Sequence, residues 1–582
     1  MFQNPVHVIV ATCADEIDAA FREMKQYLAD GYYLAGWISY ETGLFLEGKL
    51  AILGRNSYAV PFVSFGVYKK CQKINAADSD AYWAAAADKG GYAVENIRLN
   101  ISRTAYENAV IKIDDYLTAG DVYQVNFTLK SQFDFSGLPE SYFAALRQAQ
   151  KVEYGAFITS DNLSVLSLSP ELFFRKEGSK ITVRPMKGTC ARGRTGAEDQ
   201  NQVDFMHHDE KNRAENLMIV DLLRNDLAKI SAPGSVKLKS LYDVEKYRTL
   251  FQMTSTIEAS TPKGLDMVDM IEALFPCGSV TGAPKIRAME VISELEKSPR
   301  GIYTGAIGYM GPDGDGCFSV PIRTVIIDKD GRGEMGIGSA IVADSDVRAE
   351  YDECLLKAHF ATREFRDFSL IESLRWAEST DGEGYDLLAL HMDRLTSSAE
   401  YFDFPCDEQA IRDDLKAHAA YLDPLKIWKV RLLLSSSGHI SITSTALGND
   451  EKDEDKFITL SVEATDSENA MLFHKTTDRG CYDRKLKYHM KEYGSYDVVF
   501  LNEKGDLTEG AYNNIFLKLD GILYTPPLDS GLLNGTLRQS LMADADFPLK
   551  EKCLTLPDLQ RAEAIYMGNS VRGLVEVTFK AL

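Results

Sequence analysis

Apolar residues recur every three or four positions over residues 15–28, at Ile17, Ala20, Phe21, Met24 and Leu28, and that spacing predicts a helix with one buried face. A strand-like stretch follows at 32–38. The same succession returns downstream, with a helix expected over 106–119 running into an alternating stretch at 121–128. Short strands are expected at 163–168, 171–175 and 180–185, separated by turn residues. From 211 to 230 the positions Leu217, Val220, Leu223 and Leu227 keep helical spacing. A helix-like run over 350–365 ends near residues 365–368, and a new alternating pattern, SLIESLRW, starts at Ser369. That seam reads as a fusion point between two proteins. A second, charged stretch at 448–456 (GNDEKDEDK) lies between strands expected at 440–443 and 457–462 and reads as a solvated surface linker.

The chain has 582 residues, enough for about three to five ordinary domains or two large ones. Hydrophobic residues make up 45% and charged residues 26%, a globular balance that leaves no room for a fibrous or disordered chain. Net charge is −22, which argues against nucleic-acid binding and against a polybasic membrane-surface protein. An anionic substrate would need a locally positive pocket. No apolar run reaches membrane-spanning length, and the N-terminal stretch lacks secretory-signal features, so the cytoplasm is the expected location. The nine cysteines show neither CxxC nor ligand-like spacing and read as free thiols.

Residues 275–290 (FPCGSVTGAPKIRAME) carry the densest chemical signal. Glycines and hydroxyls lead through Pro284 into a helix whose N-terminus suits an anion. The nucleotide-binding pattern GxxxxGK[ST] is absent. Together with Ser169-Pro-Glu, Arg184-Pro-Met-Lys-Gly-Thr, the stretch 213–227 (RAENLMIVDLLRNDL), Ile322-Arg-Thr and the stretch 340–345 (AIVADS) with Glu350 and Glu353, it resembles the chorismate-utilising enzymes. These include anthranilate synthase, aminodeoxychorismate synthase and the isochorismate and salicylate synthases. The resemblance implies a large α/β sandwich-type domain like anthranilate synthase component I.

It also implies roles for individual residues. Aminodeoxychorismate synthases carry Lys, and anthranilate synthases Ala, where this chain has Lys187. A lysine amine made neutral by desolvation can act as a nucleophile at C2. Glu171 is the implied general acid for loss of the C4 hydroxyl, with a raised pKa. Glu215 and Glu353, with Glu350 as second choice, are the implied Mg²⁺ ligands. Arg323 and Lys357 are implied carboxylate contacts, and Gly282 a backbone anion site. One departure stands out: Gln252 occupies a segment where many relatives have a histidine, and it cannot act as a base. No glutaminase signature is present, so ammonia is expected from solution or from a glutamine amidotransferase partner.

The C-terminal part resembles fold-type IV pyridoxal-phosphate enzymes, among them D-amino-acid and branched-chain aminotransferases and aminodeoxychorismate lyase. The residues that carry this are 390–402 (LHMDRLTSSAEYF), 474–479 (HKTTDR), 507–516 (LTEGAYNNIF), 531–538 (GLLNGTLR) and 567–573 (MGNSVRG). The resemblance implies Lys475 as the lysine that holds the cofactor and Glu509 as the residue facing its pyridine nitrogen. Arg394 is implied at its phosphate, with backbone donors at Gly535, Thr536 and Leu537. Asn569 and Ser570 are further cofactor candidates, Arg572 a substrate candidate, and Tyr482 a partner for the cofactor's phenolate.

The expected architecture is α+β: a synthase domain over 1–366, then a pyridoxal-phosphate domain over 368–582 with a small subdomain of about 368–450 and a large one of about 456–582. The pairing points to conversion of chorismate and ammonia to 4-amino-4-deoxychorismate, then elimination of pyruvate to give 4-aminobenzoate for folate synthesis. Mg²⁺ and pyridoxal 5′-phosphate are the implied cofactors, and a homodimer through the C-terminal domain is the family habit. The rival readings make that domain a general amino-acid aminotransferase or a silent dimerisation module, or the first half an anthranilate synthase.

Overall fold

The computed structural model describes residues 1–87, 89–150, 152–358, 361, 367–379, 384–448 and 456–582. Two compact units emerge: Met1–Ala191 with Val203–Phe365, and Arg192–Gln202 with Arg366–Leu582. The segment Arg192–Gln202 clusters with the second unit although it falls inside residues 1–366. Part of the seam at 365–368, and nearly all of the charged stretch at 448–456, lies outside the described residues.

The first unit contains two antiparallel sheets. One has ten strands among the described residues and runs from His7–Ala11 at one edge, through Tyr33–Ile38, Ala306–Met310 and Leu172–Glu177, to Leu250–Ser260 and Met186–Ala191. The other has seven, with the long strand Gln124–Gly137 beside Arg332–Ile341. Trp37 and Ile307 of the first sheet meet Val165 and Ile326 of the second in one buried apolar cluster, so the sheets pack face to face as a sandwich.

Local patterns account for much of this. The expected early helix is Ile17–Ala29, burying Ile17, Ala20, Phe21 and Met24. The next is Arg103–Thr118, capped by the Ser102 hydroxyl accepting from the Ala105 amide. The helix Glu210–Ile230 is capped by Asp209, but Leu217 is 42% exposed rather than buried. Its buried stripe runs through Asn216, Ile219, Val220, Leu223, Asp226, Leu227 and Ile230, and Leu217 lies one helical step of about 100° beyond it. The alternating stretch at 121–128 becomes the strand Gln124–Gly137, because its extent follows an unbroken register with Arg332–Ile341, from Val125 opposite Ile341 to Asp134 opposite Arg332.

The second unit holds a three-stranded antiparallel sheet of Leu370–Trp376, Trp428–Leu434 and Ile440–Ala446, accompanied by the helices Leu388–Phe402 and Glu408–Ala419. A mixed sheet of eight strands among the described residues follows, with Phe457–Leu460 parallel to both Asp497–Leu501 and Gly573–Phe579. No helix among the described residues is long and apolar enough to cross a membrane.

Arg300 is 1% exposed and ties the first unit together. Its guanidinium pairs with Glu296 at 2.7 Å and donates to the Val280 carbonyl at 2.8 Å and the Asn126 carbonyl at 2.6 Å. Those carbonyls belong to the motif loop and to the long central strand. Replacing Arg300 by Met leaves the Glu296 carboxylate buried and unpaired, and the expected loss is about 3–5 kcal/mol in the first unit. Denaturant titration of R300M against the parent checks this: an unshifted first transition would show that the network does not carry that stability.

Candidate active sites

In the first unit, Lys187 lies on the strand Met186–Ala191 where pairing with Leu250–Ser260 breaks register between Met186 and Thr189. A bulge of this kind re-aims a side chain. The backbone there is held from both sides. Asn216 donates to the Lys187 carbonyl at 3.2 Å and accepts from the Ser255 hydroxyl at 2.6 Å. Gln252 donates to the Gly188 carbonyl at 2.9 Å and accepts from the Thr189 hydroxyl at 3.1 Å. Gln252 thus serves as a clamp on the strand that carries Lys187.

Glu171 follows the turn Ser169-Pro170 and is 4% exposed. Burial pushes its carboxyl up to about 7, opposed by a hydrogen bond from the Ser279 hydroxyl at 2.5 Å and by the charge of Lys187. Burial likewise pulls the Lys187 amine below the ordinary lysine range, opposed chiefly by Glu215, with Lys357, Glu171 and Glu353 also in electrostatic reach. One buried site therefore gathers an acid that keeps its proton near neutrality and an amine that loses its own easily.

The remaining candidates divide. Arg323 sits at φ 51°, a left-handed conformation that costs a non-glycine residue about 1–3 kcal/mol. Burial lowers its pKa to about 10 with Tyr247 opposing, and no carboxylate pairs with it among the described residues. A buried guanidinium in that state suits an incoming anion. Lys357 pairs with Glu353 at 2.7 Å and donates to the Gly338 carbonyl at 2.9 Å. Glu350 accepts from the hydroxyls of Ser339 and Ser345, so it is already engaged. The charges of Glu215 and Glu353 both reach Lys187, and two hard carboxylates fit an Mg²⁺ that keeps several waters, although no ready-made group of three metal-ligating side chains exists among the described residues. Gly282, at φ 151°, is required by closeness: a Cβ there would lie 2.2 Å from the Gln124 carbonyl oxygen. The expected helix after Pro284 is Lys285–Leu295, with Pro284 at its N-cap.

The second unit contains a cavity of about 830 Å³ lined by Lys475, Glu509, Arg394, Gly535, Thr536 and Leu537, among others. Burial, then the charges of Arg394 and Arg479, lowers the Lys475 amine to about 7. Burial raises Glu509 to about 8. The Tyr482 hydroxyl donates to Glu509 at 3.3 Å, so it serves that carboxyl, whereas the sequence suggested the cofactor's phenolate. Arg394 makes a two-point pair with the buried Glu372, Nε at 2.9 Å and Nη2 at 2.5 Å. His391 reaches the same carboxylate at 2.6 Å and the Thr536 hydroxyl at 3.2 Å with its other nitrogen. The helix Thr536–Ala543 begins beside Arg394, and its first amides have no partner within the helix. Gly535 donates its own N–H to the Leu533 carbonyl, which leaves Thr536 and Leu537 as the backbone donors. A Cβ at Gly535 would lie 2.0 Å from Asn514 Oδ1, so the cradle is closed to any larger residue. This arrangement of an amine, an opposed carboxyl and an anion cradle fits pyridoxal phosphate.

Asn569 and Ser570 line the cavity but are committed elsewhere. Asn569 donates to Asn513 at 2.6 Å and accepts from the amides of Val571 and Arg572, while the Ser570 hydroxyl donates to the Ser373 carbonyl. Sequence reasoning missed Ser279, Asn216, Glu372 and His391. Ser279 stood inside the motif already singled out, and His391 lies three residues before Arg394 on the same helix face, a legible cue. Glu372 carried only its place in an alternating strand.

Residues 3–363 match the chorismate binding enzyme family, and residues 369–578 match the amino-transferase class IV family. Aminodeoxychorismate synthase component 1 of Bacillus subtilis (strain 168) is 39% identical over 253 residues, 44% of this chain and 54% of that protein. Anthranilate synthase component 1 of Aquifex aeolicus (strain VF5) is 38% identical over 265 residues, 45% of this chain and 53% of that protein. The chain thus spans about half the length of these curated relatives. The crystal structure of anthranilate synthase component I from Streptococcus pneumoniae TIGR4 has 24% identity and a TM-score of 0.54, covering 62% of this chain and 91% of that one, and shares the fold of the first unit.

Because only the neutral amine reacts, trace acetylation followed by mass spectrometry should place the Lys475 midpoint near pH 7, with exposed lysines above 10. Arg394→Met removes a neighbouring cation and should move that midpoint upward. A Lys475 midpoint above about 9 would overturn the picture of a desolvated amine.

Proposed function

The chain belongs to the chorismate binding enzyme family, and from that we propose that its first unit converts chorismate and ammonia to 4-amino-4-deoxychorismate and its second expels pyruvate from that product to give 4-aminobenzoate. The observation that carries the reading is Lys187 beside Glu171, each desolvated toward its neutral form. An alanine at 187 would leave ammonia to attack C2 directly. A lysine there can occupy C2 itself and send ammonia to C4.

In this reading Glu171 delivers its proton to the C4 hydroxyl, which leaves as water, while the Lys187 Nζ bonds to C2 and the ring double bonds shift. Ammonia then bonds to C4, the double bonds return, and the C2–N bond to Lys187 breaks. Arg323 and Lys357 hold the carboxylates, and Gln252 and Asn216 fix the Lys187 backbone. Glu215 and Glu353 would hold Mg²⁺, which when bound supplies Lewis acidity at the ring carboxylate. Ammonia comes from a glutamine amidotransferase partner.

In the second unit Arg394, Thr536 and Leu537 would grip the phosphate of pyridoxal 5′-phosphate, and Glu509 would face its ring nitrogen. The bound cofactor supplies an electron sink that acidifies the C4 hydrogen. Lys475 Nζ takes that proton, pyruvate departs, and the ring becomes aromatic. The second-unit assignment as a lyase is supported by the amino-transferase class IV match and by the product that the first unit would hand on.

Incubation with chorismate, Mg²⁺, pyridoxal phosphate and ammonium should yield 4-aminobenzoate and pyruvate in equal amounts. Accumulated 4-amino-4-deoxychorismate would remove the lyase assignment, and anthranilate would remove the argument from Lys187. At constant free ammonia, amination should fall as pH rises through about 7, because Glu171 then loses the proton it must donate. Glu171→Gln should lower the rate by about 10²–10⁴-fold and abolish that alkaline limb. A variant with an unchanged pH profile would show that Glu171 is not the acid.

A further inference from the structure

Residues 192–202 fall inside the stretch that matches the chorismate binding enzyme family, yet they pack as part of the second unit. The segment is braced from within. Asp199, 8% exposed, accepts from Arg192 Nε at 2.9 Å and from the Gly193 amide at 2.9 Å. The same guanidinium donates to the Tyr401 carbonyl at 2.9 Å and lies over the Tyr401 ring, 4.2 Å from its centre. The Tyr401 hydroxyl donates in return to the Gly193 carbonyl at 2.7 Å. Arg194 extends the attachment, donating to Asp529 at 3.0 Å with its guanidinium over the Phe473 ring. Directional, charge-assisted contacts of this kind hold a loop in one position.

What the segment touches is His474, the residue before Lys475. Burial pulls His474 down to about 4, so near neutral pH its ring offers one donor and one acceptor nitrogen. Nε2 lies 3.1 Å from the Arg194 carbonyl, which can only accept, so Nε2 carries the proton. Nδ1 then accepts from the Ser398 hydroxyl at 2.9 Å. The rings of Tyr401 and Phe402 pack on the imidazole, 4.3 and 4.8 Å away between centres. On the other side of Lys475, Thr476 bridges to Leu370, and the Lys475 carbonyl accepts from the Ile371 amide at 2.9 Å. The backbone of Lys475 is therefore held at both neighbours, by the strand Leu370–Trp376 and by His474. Both His474 and Lys475 line the cavity. A lysine stem is flexible, so precision at Nζ has to come from the backbone that carries it. Misplacing a reacting group by about 1 Å costs about 10²-fold in rate.

We propose that residues 192–202 serve the second active site as a positioning element: the Arg194 carbonyl orients His474, and His474 fixes the backbone from which Lys475 reaches the reacting carbon. The proposal rests on the reading of Lys475 as the reacting amine. A second unit begun at the seam near 366 would lack part of its own site.

The test uses the full chain. Asp199→Asn weakens the inner brace, and Tyr401→Phe removes one hydroxyl while keeping the ring against His474. D199N should lower kcat for pyruvate release from 4-amino-4-deoxychorismate by about 10- to 100-fold with KM little changed. Y401F should lower it by about 3- to 10-fold, the worth of one hydrogen bond. His474→Phe should cost as much as D199N, and His474→Gln, which keeps a side-chain donor, should recover most of the loss. Because the segment acts through His474, D199N should add little in the H474F background. Pyridoxal phosphate should still load in each variant, seen by its visible absorption. Trace acetylation needs no substrate: the Lys475 midpoint should move upward in D199N and H474F, since a loosened backbone admits water. A full additive loss in D199N/H474F would overturn the proposal, as would unchanged kcat and acetylation in both D199N and Y401F. Lost cofactor loading with a lowered unfolding midpoint would also overturn it, showing a merely structural segment. If the Lys475 midpoint shifts in the variants but the parent releases no pyruvate, the positioning stands and the lyase reading fails.

Discussion

Taking a lysine amine and a nearby glutamate carboxyl out of water together is the constraint on which both halves of this chain depend. Desolvation favours the neutral form of each group, raising Glu171 to about 7 and Glu509 to about 8 while lowering Lys187 and Lys475. Such a pair is useful chemically because both proton transfer and nucleophilic attack become available near neutrality. It is also costly, since any charge nearby that lacks a partner would be stranded in the same dry surroundings.

The surrounding polar groups answer that cost. In the first unit the Arg300 guanidinium satisfies Glu296 and two backbone carbonyls, one of them in the loop that also presents Ser279 to Glu171. In the second, Glu372 takes two hydrogen bonds from Arg394 and one from His391, and is held down at about 2 despite its burial. Asp497 accepts from the amides of Val498, Ala511 and Tyr512 and from Asn513, which shapes the loop bordering the cavity. These residues position the groups that would touch ligand. They stand behind the reacting atoms and fix where those atoms can be.

The two units suit consecutive steps in the proposed chemistry. Amination at C4 creates the amine on which a pyridoxal-phosphate enzyme can act, and both candidate sites present cations to a substrate with two carboxylates. Arg323 offers a buried guanidinium without a carboxylate partner among the described residues.

Periodicity alone settled the existence of the helices Ile17–Ala29, Arg103–Thr118 and Glu210–Ile230, because burying one face demands that spacing wherever the helix packs. Motif identity singled out Lys187, Glu171, Lys475, Glu509 and Arg394 as candidates; Lys475, Glu509 and Arg394 line the second unit's cavity, and Glu171 is buried in the first unit. What the chain in isolation could not reveal depends on groups distant in sequence. The length of Gln124–Gly137 follows its pairing with Arg332–Ile341, and the outward turn of Leu217 follows which helix face met a sheet. The engagement of Gly535 with Leu533 and the Glu372 partner of Arg394 arise only when strands and loops find their register. Desolvation is of the same kind: it belongs to the volume around a side chain, and only the folded chain decides what fills that volume.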